Sequence, residues 1–230
     1  MTTISGLNAA SFVYSSTRRD TYFETVLTSC VEVYNEIINS SVMLNNDENE
    51  IRDEFLRYLQ DLGFKKNHEL KNLKFDKETV ENTGRADIRV LPTKDEYVND
   101  EEYYLIECKR LDNKNLCGIY GLNAEYVKNG ICRFVSCYYS TYYCCNAMFG
   151  FVVESVSNID NDIVNNINLL LNTTMTNDHK IGVNAKAINP LQYTDFANRY
   201  SYSYISTHTQ ITGSKLVLYH LMFDFSNNII

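Results

Sequence analysis

The chain has 230 residues, 44% of them hydrophobic and 13% aromatic, enough to bury the core of one large or two small domains. Its formal net charge of −8 argues against a broad basic surface of the kind that holds duplex DNA nonspecifically, although carboxylates gathered around a divalent cation would add negative charge without repelling a phosphate. No apolar run is long enough to span a bilayer, no basic-then-apolar segment opens the chain, and the cysteines show no Cys-x-x-Cys spacing. The expectation is a cytoplasmic protein with free thiols and no membrane partner.

Residues 1 to 16 are rich in Ser, Thr and Ala and are expected to be partly ordered at best. From 18 to 40, Tyr22, Val26, Cys30, Val33 and Ile37 recur at helical steps and predict an amphipathic packing helix. Asn45-Asn46-Asp47 interrupts it, and a second helix follows with Ile51, Phe55, Leu59 and Leu62 as its buried stripe and Gly63 as its stop. Asp47 and Glu50 have the spacing of a capping box at its start.

Residues 67 to 80 hold a first strand and its turn. The segments 86 to 91 and 103 to 108 are short, apolar and rich in β-branched and aromatic residues, so both read as strands, separated by a polar acidic loop from Pro92 to Glu102. A helical run covers about 117 to 140, and Gly130 inside it marks a break or a close approach. A strand from Phe149 to Glu154, a helix over 159 to 173, a polar loop over 172 to 184 and strands over 200 to 207 and 216 to 225 complete the chain. His208 and His220 read as structural histidines.

The chemistry gathers on the two middle strands. Alternation places Glu107 and Lys109 on one strand face and Cys108 on the other, so an acid and an amine project together. Burying such a pair is costly unless it meets partners or a metal. Asp87, in Gly84-Arg85-Ala86-Asp87-Ile88, lies on the neighbouring strand, and the preceding helix carries further acids. Of these, Glu54 is preferred as the helix acid because it sits beside Phe55 without a local task, whereas Glu50 is the alternative if capping does not occupy it.

Asp87 followed by Glu107-Cys108-Lys109 resembles the PD-(D/E)xK nuclease superfamily, whose members share a restriction-endonuclease-like core. Tyr126-Val127-x-x-Gly130-Ile131-x-Arg133-Phe134, with the Gly-Arg-x-Asp-Ile and Ile-Glu-Cys-Lys-Arg strands, is similar to a largely uncharacterised bacterial branch of it. The expected fold is one α/β domain with a mixed central sheet flanked by helices: a core over about 47 to 153, a helical extension over 18 to 44 and a C-terminal extension from 154 to 230. The resemblance implies a metal-dependent nuclease acting on DNA, more an endonuclease than an exonuclease, with a role in phage defence and a homodimer as a plausible assembly. By it, Asp87, Glu107, the Cys108 carbonyl and Glu54 or Glu50 would bind Mg²⁺ or Mn²⁺. Lys109 would hold or deprotonate the attacking water or stabilise the transition state, and Arg133, Arg110 and Arg85 would contact the substrate. A noncatalytic nucleic-acid-binding or assembly protein on the same scaffold is the alternative.

Overall fold

A computed structural model describes residues 13–81, 84–93, 103–116, 118–139 and 145–230. Residues 1 to 12 of the segment expected to be partly ordered at best, and most of the loop from Pro92 to Glu102, lie outside these residues. The chain opens with α1 (Val13–Asn39), whose apolar positions Phe23, Val26, Cys30, Val33 and Ile37 are buried. The helix α2 (Glu48–Gln60) starts where the Asp47 side chain accepts hydrogen bonds from the Asn49 and Glu50 amides, and two acids in its first turn suit the positive end of the helix dipole. Ile51, Phe55 and Leu59 bury its apolar stripe.

The predicted stop at Gly63 is corrected. Asp61 ends α2 and its carboxylate caps a short α3 (Leu62–Asn67), so Gly63 lies inside a helix and Leu62 is 80% exposed instead of buried. An aspartate with an extended backbone can close one helix and open the next in a single position.

Strands β1 (Leu73–Glu81), β2 (Gly84–Pro92) and β3 (Tyr104–Leu111) form an antiparallel meander. The chain then crosses over through α4 (Leu122–Tyr126), a π-helical turn (Val127–Ile131) and α5 (Cys132–Val135) to β4 (Cys145–Val152), which is parallel to β3. A second crossover begins with a π-helical turn (Asp160–Val164) and α6 (Asn165–Leu170). It continues through the small β5 (Met175–Thr176) and β6 (Gly182–Val183) pair to β7 (Ala187–Tyr193), β8 (Ser203–Thr209) and β9 (Lys215–Asp224).

These strands make a seven-stranded mixed sheet in the order β1-β2-β3-β4-β9-β8-β7, with β9 parallel to β4. The centre strands β3 and β4 are buried along almost their whole length, because helices cover both sheet faces. On one face α1 and α2 pack with Ile106, Cys108, Phe149 and Phe223; on the other, α4 to α6 pack with Leu105, Leu111, Met148 and Met222. Strand β7 has no counterpart in the sequence reading; it pairs with β8 alone and so forms an edge, where its Pro190 is tolerated.

Among the described residues no helix is long and apolar enough to cross a membrane. Among the described residues the thiols of Cys30, Cys108 and Cys132 are free.

Candidate active site

The site forms where the first turn of α2 meets β2 and β3. Glu107 is 1% exposed although it is a carboxylate, and Lys109 is 8% exposed although it is an amine. Each is tolerated because the other and their neighbours supply charge. The Lys109 ammonium lies 2.9 Å from Glu107 Oε1, 2.9 Å from Glu48 Oε1 and 3.9 Å from Asp87 Oδ2, and donates to the Cys108 carbonyl at 2.6 Å. One buried cation is thus ringed by three carboxylates and a main-chain oxygen.

Glu107 is further held from the crossover helix. Arg133 Nη1 donates to its Oε1 at 2.9 Å and the Tyr139 hydroxyl donates to its Oε2 at 2.8 Å. Burial above all, and then the Asp87 charge, push the Glu107 carboxyl up to about 7, while Lys109 and Arg133 pull the other way. For Lys109, burial opposes the charged form, but Glu107, Asp87 and Glu48 outweigh it and hold the amine well above its usual range. Lys109 therefore stays protonated at neutral pH. Burial, reinforced by Asp87, also raises the Cys108 thiol, so this residue offers the site its carbonyl and no thiolate.

Asp87 is fixed from two sides. Its Oδ2 accepts from the Cys108 amide at 2.8 Å, and its Oδ1 accepts from Arg52 Nη1 at 3.2 Å. Arg52 is 1% exposed and also meets Glu78 Oε1 at 3.2 Å and Asp53 Oδ1 at 2.9 Å. Glu78 holds a left-handed backbone, with φ of 47°, opposite Asp87 in the register set by the flanking pairs Lys77↔Ile88 and Thr79↔Ala86. Two like charges facing each other across strands repel, and the shared guanidinium offsets that repulsion.

The helix acid at this site is Glu48, in place of the predicted Glu54 or Glu50. Glu54 is bound by Arg57 on the same helix at 2.6 Å, and Glu50 accepts from the Asn45 amide at 3.0 Å and from its side chain at 2.7 Å. Glu48 instead takes the Arg110 amide at 3.1 Å with its second oxygen. Arg52 was likewise not foreseen. A signal for both exists: Glu48 lies seven positions before Phe55 and four before Arg52, so the three share one side of α2.

The predicted substrate contacts divide. Arg133 reaches Glu107, whereas the Arg110 side chain is folded onto Asn46, with Nη1 2.7 Å from Oδ1, and Arg85 pairs with Glu78 at 2.8 Å on the exposed side of β2. Gly130 is a close approach within the π-helical turn, since a Cβ there would lie 2.5 Å from Met148 Cε and 3.6 Å from Lys109 Cγ.

Among the described residues no three His, Cys, Asp or Glu side chains are drawn together as a ready-made metal cage. The carboxylates are instead spread around the ammonium. The donor set is nevertheless all oxygen and already arranged about a cation, which fits a hard divalent ion better than a thiophilic one.

A second buried polar chain runs Tyr126–His220–Ser206–His208–Ala185, with successive contacts of 2.8, 2.7, 2.6 and 2.8 Å. The Ala185 carbonyl only accepts, so His208 Nδ1 carries its proton and Nε2 accepts from Ser206; His220 Nε2 then donates to Ser206, and Nδ1 accepts from Tyr126. Every group is satisfied with both rings neutral, which makes these histidines structural. Compared with protein-family models, curated proteins and solved structures, the chain matches none.

Proposed function

We propose that this protein is a metal-dependent nuclease with a restriction-endonuclease-like core, cleaving phosphodiester bonds in DNA. The observation that carries the reading is the cation-centred ring formed by Glu48, Asp87, Glu107 and the Cys108 carbonyl around Lys109. Three sequence-distant elements supply it. The order of elements supports the same reading: a helix with an acid, a three-stranded meander carrying Asp87 and Glu107-x-Lys109, and a helical crossover to a parallel strand.

Glu48, Asp87, Glu107 and the Cys108 carbonyl would hold Mg²⁺ or Mn²⁺, which when bound lowers the pKa of a coordinated water and neutralises charge on the phosphate. Lys109, whose ammonium form its carboxylate neighbours favour, would donate hydrogen bonds to the attacking water or to a phosphoryl oxygen. Arg133 and Tyr139 fix the Glu107 carboxylate, and Arg52 with the Cys108 amide fixes that of Asp87. The Glu48 carboxylate orients Lys109 from the opposite side.

The test is single-turnover cleavage of end-labelled single-stranded, double-stranded and branched DNA with Mg²⁺, Mn²⁺, Ca²⁺ or EDTA. Cleavage with the first two and little with Ca²⁺ is expected. Full activity in excess EDTA, or no cleavage of any substrate, would count against the reading.

A further inference from the structure

The stretch from Leu62 to Phe75 carries four lysines against one carboxylate, Glu69, in a chain whose net charge is −8. It begins with α3, none of whose side chains is buried, so this helix presents surface and adds little core. The display is rigid. Leu70 and Leu73 are each 2% exposed and pin the turn from below, the Leu70 amide donates to the Lys65 carbonyl at 2.8 Å, and Phe64 stacks on His68 with ring centroids 4.1 Å apart.

Neighbouring cations are neutralised: Arg57 meets Glu54 at 2.6 Å, Lys74 meets Asp76 at 2.9 Å and Lys77 meets Asp53 at 2.6 Å. Lys65, Lys66 and Lys71 form no ion pair among the described residues, and Lys66 and Lys71 are exposed. Two ordinary roles leave a remainder. Lysines on an edge strand such as β1 guard it against pairing with another chain, and lysines in the last turn of a helix suit its negative end. The first covers Lys74 and Lys77 and the second Lys65 and Lys66. Lys71 falls under neither, and neither gathers three unpaired amines around one anchored turn.

The lysines stand at a set distance from the site. Glu48 opens α2 and Asp61 closes it, and its 13 residues span about 20 Å. Leu73 pairs with Pro92, which lies about 17 Å along β2 from Asp87. Either path matches about five or six base-pair steps of a duplex, at about 3.4 Å each, so one short nucleic acid can touch both places. Lys74 and Lys77, with side chains 64% and 44% exposed, lie on β1 between them.

We infer that Lys65, Lys66 and Lys71 anchor the phosphate backbone of duplex DNA about half a helical turn from the bond cut at the Asp87–Glu107 site. The inference rests on the nuclease reading for the class of ligand. Contacts of this kind read charge and carry no sequence information, so they supply affinity without specificity. In a protein of net charge −8 they offset the repulsion between an acidic site and an approaching phosphate.

Binding of a fluorescein-labelled blunt duplex is measured by anisotropy in EDTA, so that cleavage plays no part, from about 50 to about 200 mM salt. Lys65→Gln, Lys66→Gln and Lys71→Gln made together should weaken binding about tenfold or more at the lowest salt. They should also flatten the slope of log K against log salt by about 2.7, at about 0.9 per lysine. Lys186→Gln, Arg199→Gln and Lys215→Gln together remove the same charge from exposed positions around β7, β8 and β9 and should bind as the parent does. Equal weakening in the two triple variants would reduce the effect to net charge and overturn the inference, as would a parent that binds no duplex. Phosphatidylserine vesicles are the second probe: lysine-dependent pelleting with vesicles and no binding of DNA would assign the patch to a lipid surface instead. A parent that cleaves with Mg²⁺ while the first triple variant binds and cleaves equally well loses only the anchor; one that binds through these lysines yet never cleaves loses only the nuclease reading.

Discussion

Glu48, in the first turn of α2, and Lys109, on β3, meet at 2.9 Å across 61 positions of chain. This contact anchors the helix N-terminus to the acid-bearing strand. It also decides which of the α2 acids matters. Glu48→Gln should lower single-turnover cleavage by about 10²-fold or more, the usual scale for a positioned polar group. Glu54→Gln should stay within about threefold of the parent, because Glu54 is engaged by Arg57. Equal losses in the two variants would refute the placement.

Lys109→Met should separate stability from metal binding. It removes the cation that three carboxylates share, so the metal-free protein should lose about 3–5 kcal/mol, as when one partner of a buried ion pair is deleted. Mn²⁺ would restore positive charge there, so the metal-induced rise in Tm should be larger in the variant than in the parent. Cleavage should nevertheless fall by about 10²- to 10⁴-fold. Scanning calorimetry with and without Mn²⁺, run beside the cleavage assay, checks both statements.

Arg52 lies under Asp87 and Glu78 with 1% exposure, so its loss removes the buried guanidinium that the two facing carboxylates share. Arg52→Met should destabilise the fold by about 3–5 kcal/mol. Asp87→Asn made in the same chain should return part of that loss. A double-mutant cycle in urea should give a coupling energy above about 1 kcal/mol; additive single effects would show that Arg52 acts independently of Asp87.

The neutral His208–Ser206–His220 chain predicts a pH dependence of stability. Burial lowers the His208 pKa to about 4 from an ordinary value of 6.5, and burial, helped by His208, also holds that of His220 well below 6.5. The unfolded chain therefore binds more protons between those two values. The contribution of His208 is complete above pH 6.5 and is lost as pH falls toward 4, at up to about 1.4 kcal/mol per pH unit. Glu107 acts with the opposite sign, since its raised pKa favours the folded state at low pH and that benefit disappears as pH rises through about 7. The difference in stability between the parent and His208→Gln cancels the Glu107 contribution. It should be largest above pH 6.5 and shrink on acidification; a difference independent of pH would contradict the neutral-ring assignment.

The shared face of Glu107 and Lys109 is legible from the sequence because strand alternation is local: two residues apart on β3 is the same face wherever the strand goes. Burial of the stripe Ile51, Phe55, Leu59 is legible for the same reason, since helical spacing alone aligns it. The choice among Glu48, Glu50 and Glu54 is only half legible: helical spacing puts Glu48 on the side of α2 that carries Phe55, but only the docking of the first turn over β3 brings it to Lys109. Arg52 is hidden in the same way: an arginine in a helix reads as solvated until the strand supplying its carboxylates is placed against it. Sheet order also belongs to the tertiary structure, since β9, the last strand in the chain, inserts between β4 and β8. Nonlocal pairing of this kind is set by which buried surfaces close together, a property that no window of neighbouring residues contains.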